Sequence, residues 1–348
     1  MKGPKILDET DNEEISYRYE ITSYGADYPV DSIIKRIKDK IIYVPKFQRK
    51  YVWNIAQASK FIESLILGLP VPGIFLSKEP KTGRLLIVDG QQRLMSLFHF
   101  YDGTFKNKEF VLTGLQSEDL NGKSYKTISS TDRTKLDDSI IHATIVRQDE
   151  PDDEESSIYL IFERLNTGGK PLVSQEIRAC IYYGEFNDLL DDLKDNVNWR
   201  TVFGAENERL KEQELILRFF ALYYERKEYT KPLKGFLNKF MASNRNLEKH
   251  SKKSLSDLFS NTIAQFALIL GSKSFRTGKA FNAAIFDSTM VGLSVRLKRG
   301  KIDPRKFANA YQKLIEDPAY DANVKGGTSD EKNIQDRIDL AIKAFSKI

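Results

Sequence analysis

The sequence predicts an α+β chain, with a mixed α/β front half followed by an all-helical back half. Three observations carry this. Up to about residue 150, short apolar runs of strand length alternate with segments of helical period. The acidic stretch "DEPDDEES" then changes the texture of the chain. Beyond it nearly every segment repeats its apolar residues at helical spacing, and none reads as a strand.

Residues 1–27 form an acidic N-terminal tail containing "LDETDNEE", read as a tail or an edge element. Residues 28–150 form the first domain. In "YPVDSIIKRIKD", Asp31 is an N-cap and Ile33, Ile34 and Ile37 share one helix face. "IIYVPKFQRKYVW" alternates apolar and polar residues around a proline, the pattern of an edge strand or extended segment. In "NIAQASKFIESLILGLPVP", Asn54 caps a helix whose apolar face is Ala58, Phe61, Ile62, Leu65, Ile66 and Leu69, and Gly68 and Pro70 stop it. "GIFLS" and "LLIVD" flank "KEPKTGR" as a hairpin, and "EFVLTGL" and "SIIHATIVR" read as further strands. Connecting helices occupy residues 151–200, and residues 201–348 form a basic helical domain. The helical period falls at 156–165, 174–183, 206–227, 232–242, 254–271, 279–297, 304–316 and 329–346.

With 348 residues, 41% hydrophobic and 30% charged, the chain can build two substantial cores. No apolar run reaches the roughly 20 residues needed to span a bilayer, and no signal peptide is visible. A cytoplasmic protein without a membrane partner is expected. A single cysteine, Cys180, excludes an internal disulfide, and His99, His142 and His250 are too scattered for a Cys/His metal cluster or a thiol–histidine pair. The net charge of +5 is uneven: residues 200–348 carry 28 Lys+Arg against 17 Asp+Glu, whereas residues 1–199 carry 26 against 32. The basic half could face phosphates or be a solvated surface.

The stretch "LLIVDGQQRLMSL" runs a buried strand through Asp89-Gly90-Gln91-Gln92-Arg93 into a helix. A helix N-terminus presents unpaired N–H groups and partial positive charge, so such a turn suits an anion. Gly90 allows close backbone approach, Gln91 and Gln92 offer amides, and Arg93 offers a planar fork for phosphate oxygens. Asp89 could hold a basic side chain, a water or magnesium. On a plainer reading, Asp89 caps the helix and Arg93 pairs with it. Two further stretches are polar where packing alone would not ask for it. Gln48 and Arg49 sit between Phe47 and Tyr51/Trp53, as a fixed site or an ordinary edge. In "FERLNTGGKPLVSQEIR" a helix breaks at Asn-Thr-Gly-Gly and another starts at Ser174. That loop gathers Glu163, Arg164, Asn166 and Thr167, types suited to metal and phosphate, or forms a simple C-cap and turn.

In this order, "FQRKYVW", "GLPVPGIFL", "VDGQQRLMSL" and "FERLNTGGKPLVSQEIR" resemble the N-terminal domain family of GmrSD-type modification-dependent restriction enzymes. That family includes GmrS and SspE and has a ParB/sulfiredoxin-like fold. "FNAAIFDSTMVGL" and "GTSDEKNIQDRIDLA" also look like it, so the resemblance spans about residues 28–345. It implies magnesium-dependent NTP binding and hydrolysis in the service of DNA restriction or phage defence. Asp89, Gln91, Gln92 and Arg93 are then catalytic; Gln48, Arg49, Gly90, Arg93, Arg164, Asn166 and Thr167 bind nucleotide; Glu163 and Asn166 hold magnesium. Residues 151–200 would complete the nucleotide site, and the base of the NTP is not specified by any motif. Sulfiredoxin-type sulfur chemistry is not expected, because Gln91 and Gln92 stand where its reactive cysteine would be. Many relatives carry an HNH-type nuclease domain, and no His-Asn-His pattern occurs here, which implies a partner nuclease subunit.

The basic half is read toward DNA, plain or modified, through Lys231, Lys234, Lys239, Lys249, Lys252, Lys253, Arg296, Lys298 and Arg299. The interleaved Tyr223, Tyr224, Tyr229, Phe236 and Phe240 read as helix core rather than stacking platforms. Two alternatives stand beside the NTPase: a non-hydrolysing DNA-binding module, and a ParB-like nuclease acting by itself. A homo-oligomer is compatible with all three.

Overall fold

The structure is a computed structural model that describes residues 3–7, 20–44, 51–79, 82–150, 161, 173–182, 184–207 and 209–348. The chain divides into two compact units, Arg18–Leu172 and Met1–Tyr17 with Val173–Ile348. The first strand, β1 (Ile6–Leu7), belongs to the second of these.

In unit Arg18–Leu172 the strands are β2 (Glu20–Pro29), β3 (Ile42–Tyr43), β4 (Ile74–Lys78), β5 (Leu85–Asp89), the small pair β6 (Thr104–Phe105) and β7 (Lys108–Glu109), and β8 (Ile140–Glu150). Five of them form a sheet in the order β2-β8-β4-β5-β3. The β4–β5 hairpin is antiparallel as expected, whereas β4 runs parallel to β8 and β3 parallel to β5. Helices α1 (Val30–Lys38), α2 (Ile55–Ile66), α3 (Gln91–Asp102) and α4 (Ser130–Asp138) pack together. Ile33, Ile62, Leu65, Leu94, Leu97 and Phe100 meet Ile74, Leu76, Ile87, Ile141 and Ile145 of the strands in one core. Asn54 caps α2 through a reciprocal pair with Gln57, which satisfies two orphan donors of the first turn.

Three expectations change here. Residues 20–27 of the predicted tail, together with Tyr28 and Pro29 of the predicted first domain, form edge strand β2 along β8. Thr22, Ser23, Tyr24, Gly25 and Asp27 are all exposed, so no alternation marks the strand. "EFVLTGL" is not a strand beyond Glu109, although Phe110 and Leu112 are buried. Leu112 exchanges backbone bonds with Lys123 and Gly122 instead, which gives alternating burial without a ladder. Helix α4, "STDRTKLDD", was hidden because it buries little beyond Leu136.

The second unit holds α5 (Ser174–Ile181), α6 (Glu185–Lys194), α7 (Val197–Phe203), α8 (Lys211–Glu225), α9 (Leu233–Ser243), α10 (Lys252–Ile269), α11 (Ala283–Leu297), α12 (Pro304–Ile315), α13 (Pro318–Lys325) and α14 (Glu331–Phe345). It also contains a three-stranded sheet of β1, β10 (Ala280–Asn282) and β9 (Arg276–Thr277), none of which was expected. The helix predicted from 279 therefore starts at Ala283, where the Asn282 side chain accepts from Ala284 and Ile285 N–H. Helices α6, α7 and α13 fall outside the individual helical ranges predicted, although α6 and the start of α7 lie within the connecting helices expected over 151–200. The helix expected at 156–165 lies outside the described residues, apart from 161.

Helix α11 is buried from Ala283 to Ser294, which explains its weak amphipathic pattern. At Gly292 it closes on α14, and a Cβ there would sit 2.9 Å from the Ala341 carbonyl carbon. The unit also buries charge. Asp287 Oδ2 accepts from Arg218 at 2.5 Å and from Arg337 at 3.4 Å, all three side chains being inaccessible or nearly so. Arg178, 1% exposed, reaches Glu214 at 2.6 Å, and Glu176 takes Arg209 at 2.8 Å.

Candidate functional site

Strand β5 ends at Asp89 and α3 begins at Gln91, so Gly90 makes the whole turn. Its φ is +95°, and a Cβ there would lie 2.4 Å from Ile74 Cγ2 on β4. A side chain is excluded both by conformation and by the neighbouring strand. Gly90, as N-cap, brings no side chain to the N-terminus of α3, whose partial positive charge suits an anionic ligand.

Arg93 folds back under the turn. Its Nη2 donates to Asp89 Oδ2 at 2.7 Å, and its Nη1 donates to the carbonyls of Gly73, at 2.8 Å, and Pro72. The guanidinium side is 13% exposed and the Asp89 carboxylate 40%. The pairing of Asp89 with Arg93 belongs to the plainer of the two readings from the sequence, although the N-cap of α3 is Gly90 and not Asp89, and the carbonyl contacts give "GLPVPGIFL" a purpose that pattern could not show. Gly73 lies against β8, where a Cβ would meet the His142 carbonyl at 2.9 Å. That fixes the two carbonyls that Arg93 reads.

Gln92 ties the site to a second segment. Its Oε1 accepts from the N–H groups of Val52, at 2.9 Å, and Trp53, at 3.1 Å. One turn later the Ser96 hydroxyl meets Tyr51 Oη at 2.8 Å while donating to the Gln92 carbonyl. Burial pushes the Tyr51 hydroxyl up, partly countered by its bond to Ser96. His99, edge-on to Tyr51 at 5.3 Å, is held by burial below the usual imidazole range. The chain directly after Gln48-Arg49 is thus pinned to the first turns of α3. Gln48 and Arg49 themselves lie outside the described residues, as do Glu163, Arg164, Asn166 and Thr167. Among the described residues no cluster of three or more His, Cys, Asp or Glu is placed to hold a metal.

Residues 30–183 match the family model described as "GmrSD restriction endonuclease, N-terminal domain". Residues 30–183 are thus similar to a GmrSD-type N-terminal domain. The GmrSD match contains the Asp89–Arg93 turn and runs past the boundary at Leu172 to include α5. There Gln175 accepts from Arg178 at 2.8 Å and Glu176 pairs with Arg209. No curated protein matches the chain. A solved Pnob8-like ParB-N domain aligns with 94% of this chain and 100% of its own at 13% identity, with a TM-score of 0.24, too low to establish a shared fold. No helix among the described residues is long and apolar enough to cross a membrane.

Beyond the GmrSD match, the basic candidates are mostly engaged within the chain. Lys231 pairs with Asp330, Lys249 with Glu225 at 3.3 Å, Lys252 with Asp192 at 2.7 Å and Lys253 with Asp257 at 2.6 Å. Arg296 donates to the carbonyls of Ile348, at 2.7 Å, and Gly300, at 3.2 Å. Lys234 also has a partner. Lys239, Lys298 and Arg299 are exposed. Sequence reasoning missed Arg178, Arg218, Asp287 and Arg337 as organising residues. The signal was available in charged residues standing inside otherwise apolar helical stretches, such as Asp287 in "FNAAIFDSTMVGL".

Proposed function

We propose that the chain is the nucleotide-binding, NTP-hydrolysing subunit of a DNA restriction or phage-defence system that senses modified DNA, with a partner subunit cutting the DNA. The observation that carries this reading is the strand-to-helix turn at Gly90, within the GmrSD match, where the N-cap residue brings no side chain and Ile74 on β4 leaves no room for one. Phosphate oxygens would sit against the first turn of α3 and take Arg93 from Asp89. The Asp89 carboxylate, released from its ion pair, would join Glu163 and Asn166 around magnesium, which suits a cation that binds few carboxylates and phosphate oxygens. Magnesium, when bound, neutralises charge on the phosphates. Gln91 or Gln92 would position the attacking water, and Gln92 also accepts from the N–H groups of Val52 and Trp53. Gln48, Arg49, Arg164 and Thr167 would complete the phosphate shell.

The closure of Arg93 on Asp89 and two carbonyls favours one rival, a non-hydrolysing DNA-binding module in which the turn is scaffold. Phosphate release from each NTP with magnesium, with plain or modified DNA present, separates them. In Arg93→Ala and Asp89→Ala turnover should fall about 100-fold or more, the loss typical of removing a group that stabilises transition-state charge. Turnover equal to wild type in both variants would remove the hydrolytic reading, and no turnover by wild type with intact DNA binding would establish the rival.

A further inference from the structure

The two basic clusters of the helical unit, far apart in sequence, meet at the C-terminal end of α8. Lys298, from the segment after α11, places its ammonium 5.0 Å from the centre of the Tyr223 ring. Tyr223 stands edge-on to Tyr224 at 4.9 Å. Tyr224 stacks on His250 at 3.8 Å with the planes 21° apart. Lys249 precedes His250 and is half exposed on Glu225, and Lys252, Lys253 and Arg299 are exposed nearby in sequence. Tyr223, Tyr224 and His250 are each partly exposed, so Tyr223 and Tyr224 are not core as the sequence suggested. Burial against Tyr224 holds the His250 ring below the usual imidazole range, which favours a neutral stacking surface.

From this juxtaposition we infer that the Tyr223, Tyr224, His250 and Lys298 cluster is a platform for unpaired nucleotides of single-stranded or strand-separated DNA. Flat rings in series accept bases of any sequence, and the surrounding cations follow the phosphates. A fully paired duplex keeps its base faces stacked and offers these rings nothing to bind. The inference rests on the proposed engagement of DNA and specifies the form of DNA that the helical unit takes.

The test is fluorescence anisotropy of the full chain with a labelled short oligothymidylate, and with a labelled duplex of the same length. Wild type should prefer the single strand. Tyr223→Ala and Tyr224→Ala should each weaken single-strand binding about tenfold, and Tyr223→Phe and Tyr224→Phe should retain it. Lys298→Glu, at an exposed position that does not threaten folding, should also weaken binding and flatten its salt dependence. Single-strand affinity unchanged in Lys298→Glu and in both alanine variants would overturn the inference, and so would a wild-type preference for duplex. Nucleotide turnover in the Asp89 and Arg93 variants is read separately, so the catalytic reading and this one fail independently.

Discussion

Asp287→Ala should destabilise the helical unit by about 3–5 kcal/mol, the cost of removing one member of a buried ion pair. Asp287 Oδ2 serves both Arg218 and Arg337, and none of the three side chains is more than 2% exposed. Deleting the carboxylate removes the acceptor that two buried guanidinium groups share. Arg337 also donates to the Thr328 carbonyl at 2.6 Å, so the loss would spread into the turn before α14. Chemical denaturation should show a lowered midpoint in Asp287→Ala. Replacing Arg218, Asp287 and Arg337 together by apolar residues of similar volume should recover most of the loss, because the desolvation cost disappears with the charges. A midpoint unchanged in Asp287→Ala would mean that the triad is not closed as described.

Gly90→Ala should cost about 2–5 kcal/mol, from roughly 1–2 kcal/mol for a left-handed non-glycine residue and about 1–3 kcal/mol for overpacking. The added methyl has no escape. The turn is fixed below by Arg93 on the Pro72 and Gly73 carbonyls, and Ile74 Cγ2 would lie 2.4 Å from the new carbon. Ile74→Ala in the same chain should relieve the overpacking part while leaving the conformational part. Thermal unfolding of Gly90→Ala, Ile74→Ala and the double variant checks this, since a contact of this kind makes the two changes non-additive. Strict additivity would place the strain elsewhere.

Much of the first unit was legible because its periodicities reflect one-sided burial: α2 with its Asn54 cap, the β4–β5 hairpin and the entry of β5 into α3. The failures occurred where burial and periodicity part company. Strand β2 is exposed along most of its length, α11 is buried all round, and β9 and β10 are two and three residues long. At the site, the residue types of the Asp89–Arg93 turn were readable, and so was the pairing of Asp89 with Arg93. Their supports were not. Gln92 finds the main chain of Val52 and Trp53, and Arg93 finds that of Pro72 and Gly73, and backbone partners leave no trace in side-chain pattern.

The most direct test of the central claim is the thermal midpoint of the full chain with each NTP and magnesium, because a ligand that binds the folded state raises stability in proportion to RT ln(1 + [L]/Kd). A concentration-dependent rise in wild type that is lost in Arg93→Ala is the predicted result. No rise with any NTP, or an equal rise in Arg93→Ala, would contradict nucleotide binding at the Asp89–Arg93 turn.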